Sequence, residues 1–192
     1  MTHPFTGYVA TNFANAAGVA TNGMNWGVVV DTGGTNGIFA SGSYLPFNIA
    51  TAGFLSTASG LTDDYYFPAG DANKTFNGAG LTETPSGNAG VDGTIGTIAS
   101  VPFGGASNIA MNNQFAVIWF STNSASLVGD KYGFFTNAAL TIPSDNQTQD
   151  RSGPFAGADP VRPANISVVP EPSALTLLAA GTVLLGRRRF RR

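Results

Sequence analysis

The chain contains no cysteine and only one histidine among its 192 residues. Without cysteine it can form neither disulfides nor the thiolate ligands of zinc and iron–sulfur sites. His3 is the one imidazole, and we expect it in a frayed N-terminal segment. The composition therefore argues against Ser–His–Asp catalysis and histidine-based metal sites. We predict a protein without a metal or cofactor, and not an enzyme.

Charged side chains are also scarce, at 10% of the residues, against about 25% in an average soluble domain. Ten of the eleven acidic residues but only four of the nine basic ones precede Pro170, so this part carries a net charge of −6. So few cations cannot neutralise many phosphates, and we do not expect a nucleic-acid partner. The aromatic content of 11% argues against disorder.

The body of the chain reads as short strands separated by turns. Residues 26–30 are rich in valine, and residues 115–120 form a continuous apolar run that suits a strand covered on both faces. Residues 11–20 are alanine-rich and are a weaker candidate for a short helix. Further strand candidates are residues 65–67, 93–98, 132–135 and 140–142, and turn-forming pairs are Asn22-Gly23, Asn36-Gly37, Asn77-Gly78 and Asp92-Gly93.

This pattern predicts an all-β fold, which we expect to be a sandwich of jelly-roll-like or immunoglobulin-like topology, followed by a C-terminal hydrophobic helix. The sandwich would occupy residues 1–142. Residues 143–167 are polar and rich in Ser, Pro and Gly, so we interpret them as a surface-exposed linker. Residues 168–192 differ from both and form a third unit.

The C-terminal unit has three parts in a fixed order. Pro170 and Pro172 hold an extended backbone around Glu171, Ser173 can cap a helix, and an uncharged apolar segment ends at a cluster of arginines. A 13-residue helix would be ~20 Å long, which is short for a bilayer core of ~30 Å but suits a marginal anchor. The predicted membrane helix contains Ala174, Leu175, Leu177, Leu178, Val183, Leu184 and Leu185, and the cluster that the positive-inside rule keeps in the cytoplasm contains Arg187, Arg188, Arg189, Arg191 and Arg192.

This order of Pro-Glu-Pro, apolar helix and arginine cluster resembles the PEP-CTERM sorting signal, whose signature is also called the ice-binding protein C-terminal domain. The resemblance covers about 24 of the 192 residues. It implies recognition and cleavage near Pro170, Glu171 and Pro172 by an exosortase, a membrane transpeptidase-like enzyme. It also implies a Gram-negative source, export across the inner membrane, delivery to the cell envelope or biofilm matrix, and exopolysaccharide as a further partner.

Members of that family carry an N-terminal secretion signal. Residues 1–5 lack the basic and apolar regions of such a signal. We therefore expect that the start was assigned too far downstream or that the sequence is a fragment.

One segment of the body is a candidate ligand patch. Tyr65 and Tyr66 could stack on sugar rings, with the carboxylates of Asp63 and Asp64 beside them. As calcium ligands these aspartates lack a recognised spacing, and we interpret them, like Asp71-Ala-Asn73, as solvated turn carboxylates. The two tryptophans, Trp26 and Trp119, are expected in the core, and Asp31-Thr-Gly-Gly34 is expected to be a turn rather than a protease motif.

The sequence thus favours an exported surface or matrix protein with a non-enzymatic structural or adhesive role. The alternative is a carbohydrate-binding module or carbohydrate-active enzyme of the cell surface. An aromatic-lined groove with two carboxylates ~5–10 Å apart would favour the alternative.

Overall fold

The computed structural model describes residues 2–5, 13–19, 24–33, 38–60, 63–68, 98–102, 104–121, 127–144 and 162–171. Of residues 2–5 and 98–102 it describes the backbone alone.

Within these residues the chain forms strands and no α-helix. The strands are β1 (Thr2–Phe5), β2 (Phe13–Ala14), β3 (Trp26–Asp31), β4 (Gly53–Phe54), β5 (Asp64–Pro68), β6 (Ile98–Pro102), β7 (Gln114–Phe120), β8 (Lys131–Thr141), β9 (Arg162–Pro163) and β10 (Ile166–Ser167). A short 3₁₀ turn, Gly105–Ser107, precedes β7. The all-β prediction is therefore confirmed for the described part of the chain.

Six of the strands form one antiparallel sheet in the order β10-β8-β7-β3-β5-β4. Two smaller sheets accompany it. Strands β1 and β6 pair antiparallel, and β2 and β9 pair parallel. The two strands that were most evident in the sequence, β3 and β7, lie side by side at the centre of the large sheet.

The register of β3 and β7 sorts their side chains onto two faces. Trp26 lies opposite Trp119 and Val28 opposite Val117, so these four side chains share one face. Because side chains alternate along a strand, Val29 points to the other face. Every residue of β3 is buried. In β7 residues 115–120 are all buried as well, which agrees with the prediction that this run forms a strand covered on both faces.

Each face of the sheet carries its own hydrophobic cluster. The first cluster contains Phe13, Met24, Trp26, Val28, Val30, Ile109, Phe115, Val117, Trp119, Leu140, Ile142 and Ala164. The second contains Val29, Tyr44, Leu55, Tyr66, Ile118, Phe120, Tyr132 and Val168. Irregular chain and the short β2–β9 pair supply much of this cover, with Tyr44 and Leu55 coming from residues 38–60.

Strand β8 is longer than the sequence indicated. The two predicted strands, residues 132–135 and 140–142, belong largely to one strand, Lys131–Thr141, with Ile142 just beyond its end. Its pairing with β7 shifts register between Ala116↔Thr136 and Gln114↔Thr141. The side chains between, at residues 137–139, are exposed. Because those polar and small residues bulge outward, the apolar pattern breaks while the strand continues.

Three other expectations differ from the structure. The alanine-rich segment of residues 11–20 contains strand β2 and a turn in its described part, not a helix. His3 lies in β1, where its backbone pairs with Val101. Residues 162–168, at the end of the predicted linker, form β9 and β10 and bury Ala164 and Val168.

The sequence did not reveal these last two strands, because apolar residues alternate over a short stretch only, at Ala164, Ile166 and Val168. The predicted strand at residues 93–98 is described only at Ile98, in β6. The hydrophobic helix at residues 174–186 and the arginine cluster lie outside the described residues.

Candidate functional site

The predicted ligand patch lies at the start of β5, where strand alternation separates its members. The side chains of Asp64 and Tyr66 are each 1% exposed and lie on the face of the second cluster. Tyr65 is half-buried and packs against the first cluster. Tyr65 and Tyr66 therefore point to opposite faces of the sheet and do not form one aromatic surface.

Each tyrosine has a structural partner. The Tyr66 hydroxyl donates a hydrogen bond to the Ile49 carbonyl oxygen at 2.7 Å. The Tyr65 ring packs edge-on against Phe54 of β4, with 5.1 Å between ring centroids. These contacts attach residues 49–54 to the sheet and give both tyrosines of the candidate patch a structural role.

Asp64 is a buried carboxyl group, not the solvated turn carboxylate that the sequence indicated. Its Oδ2 accepts hydrogen bonds from the Tyr44 hydroxyl and from the Ala40 backbone N–H, the latter at 2.8 Å. Its Oδ1 is buried and has no hydrogen-bond partner among the described residues. Sequence reasoning missed Tyr44, because nothing in a run of single aromatic residues links it to a carboxyl group twenty positions away.

The surroundings of Asp64 stabilise its protonated form relative to an aspartate in water. Burial is the main cause that raises the pKa of Asp64 to about 6, and the hydrogen bonds from Tyr44 and Ala40 oppose the shift. The nearby carboxylates of Asp63 and Asp31 raise the pKa further. Asp64 can therefore exchange a proton in a slightly acidic medium, although its position in the core restricts access.

The tyrosines around Asp64 are held in the phenol form. Burial is the main cause that raises the pKa of Tyr44 well above its ordinary value, and the negative charge of Asp64 adds to it. Burial likewise raises the pKa of Tyr132, whose hydroxyl donates to the Ser41 carbonyl oxygen. Tyr44, Tyr132 and Asp64 thus form a polar cluster that joins residues 40–44 to the sheet.

The predictions for the tryptophans are confirmed. Trp26 is 3% exposed and Trp119 is 1% exposed. The Trp119 indole Nε1–H donates to the Ala14 carbonyl oxygen at 3.1 Å, and its ring lies 4.5 Å from that of Phe13. Its ring also covers Gly133, where a Cβ atom would lie 2.0 Å from the indole.

The turn predicted after β3 is confirmed as far as the structure describes it. The Gly33 backbone N–H donates to Asp31 Oδ1 at 2.9 Å, and Gly33 has a positive φ of 81°. A carboxylate that accepts from the backbone two residues later is a typical turn stabiliser. Asp31 has that role and, at 5% exposed, is buried beneath the turn.

Of the predicted sorting motif, Pro170 and Glu171 are described and Pro172 is not. Pro170 is half-buried and Glu171 is exposed. The residues immediately before them are bonded into the body, because the Val169 N–H donates to the Tyr44 carbonyl oxygen and the Val168 N–H to that of Asp130, both at 3.0 Å. The motif therefore begins at the surface of the folded body, and the described residues directly before it, 162–169, are part of that body.

The described ranges contain no group of three or more acidic or histidine side chains that could hold a metal ion. Among the same residues, no helix has the length and apolar character needed to cross a bilayer. The predicted membrane helix and Asp71-Ala-Asn73 lie outside them.

Comparison with known proteins adds nothing to this geometry. No protein-family model, curated protein or solved structure matches this chain.

Proposed function

We propose that the chain is an exported bacterial surface or biofilm-matrix protein that an exosortase-type enzyme processes near Glu171. The observation that carries this proposal is the order of the last 23 residues, in which Pro-Glu-Pro, an uncharged apolar segment and five arginines follow one another. An apolar segment of this length with arginines behind it suits a short anchor at the inner membrane, with the body on the outer side.

The body supports a non-enzymatic, structural or adhesive role. Its one strongly perturbed carboxyl group among the described residues, Asp64, is engaged by Tyr44 and Ala40 inside the core. The carbohydrate-active alternative needs Tyr65 and Tyr66 on one surface, whereas they lie on opposite faces of the sheet. We therefore place the structural or adhesive role first, with exopolysaccharide as the matrix partner.

Two finer features of the fold are part of the proposal. The first is a two-sheet sandwich in which a second sheet completes the cover of the six-stranded one. The second is a C-terminal helix over residues 174–186, which Ser173 caps.

The decisive experiment is mass spectrometry of the protein from cells with and without the processing enzyme. We expect a mature C-terminus near Glu171 only in cells that contain the enzyme. A double variant, Pro170→Ala with Pro172→Ala, should keep its tail, whereas the control Pro163→Ala in β9 should be processed normally. Recovery of chains that end at Arg192 from both kinds of cell would refute the proposal.

A further inference from the structure

The four residues before the sorting motif, residues 166–169, form a root that holds the motif to the body. Ile166 and Ser167 pair with β8. The Val168 side chain is 1% exposed in the second cluster. Its N–H donates to the Asp130 carbonyl oxygen and its carbonyl oxygen accepts from the Gly129 N–H, each at 3.0 Å.

The root ends where the motif begins. The Val169 N–H donates to the Tyr44 carbonyl oxygen at 3.0 Å, and Pro170 cannot continue this pairing because it has no N–H. Only four residues, 170–173, then separate the last hydrogen-bonded residue from Ala174, the first residue of the apolar segment. Fully extended, four residues span at most ~14 Å.

This short span limits access to the cleavage site. With the apolar segment in the hydrocarbon core, part of the ~14 Å crosses the polar headgroup zone, and the body must lie against the membrane surface. Proteases act most readily on exposed, locally flexible chain. Glu171 meets the first condition because it is exposed, but the root restrains the chain directly before it while the hydrogen bonds to β8 and Tyr44 are intact.

Resting on the proposed function, we infer that the root controls processing. The enzyme cuts the form of the protein in which residues 166–169 have left the sheet, and the population of that form sets the rate. In the net reaction one peptide bond near Glu171 breaks, its acyl group takes the hydroxyl of a water molecule, and its nitrogen takes the remaining proton. Val168 is thus a positioning residue, which acts through the stability of the root.

The test compares four full-length variants in cells that contain the processing enzyme. Val168→Ala removes two buried methyl groups from the root and should raise the cleavage rate roughly tenfold. Val128→Ala removes the same groups from a valine that is 55% exposed in the neighbouring turn, and it should be cleaved at the parent rate. A five-residue Gly/Ser insertion between Val169 and Pro170 leaves the root contacts in place, and it should be cleaved fast with or without Val168→Ala.

A second readout follows the root without the enzyme. Hydrogen exchange at the Val169 amide should quicken in Val168→Ala and stay at the parent value in Val128→Ala and in the insertion variant. The inference is overturned, and the proposed function stands, where the parent is cleaved and both Val168→Ala and the insertion are cleaved at the parent rate. Where no variant and no parent chain loses its tail, both fall together, whatever the exchange shows.

Discussion

Burial raises the pKa of Asp64 to about 6, and this carboxyl group consequently ties the stability of the fold to pH. Below pH ~4 the acid is protonated in both the folded and the unfolded chain. As the pH rises from about 4 to about 6, the unfolded chain releases its proton while the folded chain keeps it, so the contribution of Asp64 to the free energy of unfolding falls, and above this range it levels off.

The first prediction concerns this pH dependence. The free energy of unfolding of the parent should fall by up to about 2 kcal/mol between pH 4 and pH 7, and Asp64→Asn should abolish this fall. Urea denaturation of the parent and the variant at several pH values measures the difference. Asp63→Asn, at the half-buried neighbour, is the matched control; it removes one of the smaller causes of the raised Asp64 pKa and should keep most of the parent slope. Identical pH profiles for the parent and Asp64→Asn would contradict the assignment.

The second prediction separates a charge-assisted hydrogen bond from a neutral one. At pH 8 Tyr44→Phe leaves the ionised Asp64 with the Ala40 N–H as its remaining donor, and we expect a loss of about 2–3 kcal/mol in the free energy of unfolding. Tyr66→Phe removes a bond to the Ile49 carbonyl oxygen and should cost about 1 kcal/mol. The difference between the losses caused by Tyr44→Phe and Tyr66→Phe should be smaller at pH 5, where Asp64 is protonated. If the loss caused by Tyr44→Phe exceeded that caused by Tyr66→Phe by the same amount at pH 5 and at pH 8, this would argue against an ionised Asp64 at pH 8.

At the scale of single residues, the sequence allowed some side chains to be assigned to the core but not others. Trp26 and Trp119 could be assigned to the core because they stand in strong strands. Asp64 and Tyr66 could not, because two adjacent acids before two adjacent tyrosines resemble an exposed loop, and only the pairing of β5 with β3 reveals which of them point inward. Tyr44 contributes through a contact that no local pattern contains.

At the scale of elements, the centre of the large sheet depends on a glycine. Trp119 on β7 lies across Gly133 on β8, its partner in the register. The indole reaches the Ala14 carbonyl oxygen over this position because Gly133 has no side chain. Because the large side chain of Trp119 lies beside a glycine on the adjacent strand, β2 can pack over the first cluster.

The third prediction follows from this contact. Gly133→Ala should destabilise the protein by about 3 kcal/mol or more, because its Cβ would meet the buried indole. The matched control is Gly53→Ala in β4, where a Cβ would have no neighbour within 4 Å, and a change of less than about 0.5 kcal/mol is expected. Thermal unfolding measures both. A Gly133→Ala protein as stable as the control would show that Trp119 does not need this space.

Strands were predictable where β-branched and aromatic residues are contiguous, as in β3, β5 and β7. They were not where a bulge interrupts the pattern, as in β8, or where two residues suffice, as in β2, β9 and β10. Such short strands owe their existence to tertiary hydrogen bonds, among them that from the Val168 N–H to Asp130. The local strand propensity of the sequence does not reflect those bonds.

For the molecule as a whole, the structure extends the body to Val169, directly before the proposed sorting motif. The sequence suggested that the domain ends at residue 142 and that a polar linker follows. Residues 162–169 instead close both faces of the sheet, with Ala164 in the first cluster and Val168 in the second. Four aliphatic residues at the end of a long polar stretch are too short a signal to separate a closing segment from a linker.

The fourth prediction tests this boundary. A chain that ends at Glu171 should unfold at the same temperature as the full-length protein. A chain that ends at Asn165 loses β10 and the buried Val168, and its Tm should fall by roughly 6–12 °C, which corresponds to about 3 kcal/mol. Calorimetry on both truncations distinguishes them. Equal Tm values would mean that the body is complete without its last segment.

The parallel pairing of β2 with β9 has a consequence for biosynthesis. Phe13 and Arg162, partners in that pairing, are separated by almost the whole body of the chain. Contacts between such distant residues form late and slow the folding of β proteins. The first cluster cannot be completed until Ala164 has emerged from the ribosome, so the complete fold forms only after nearly all of the described body has been synthesised.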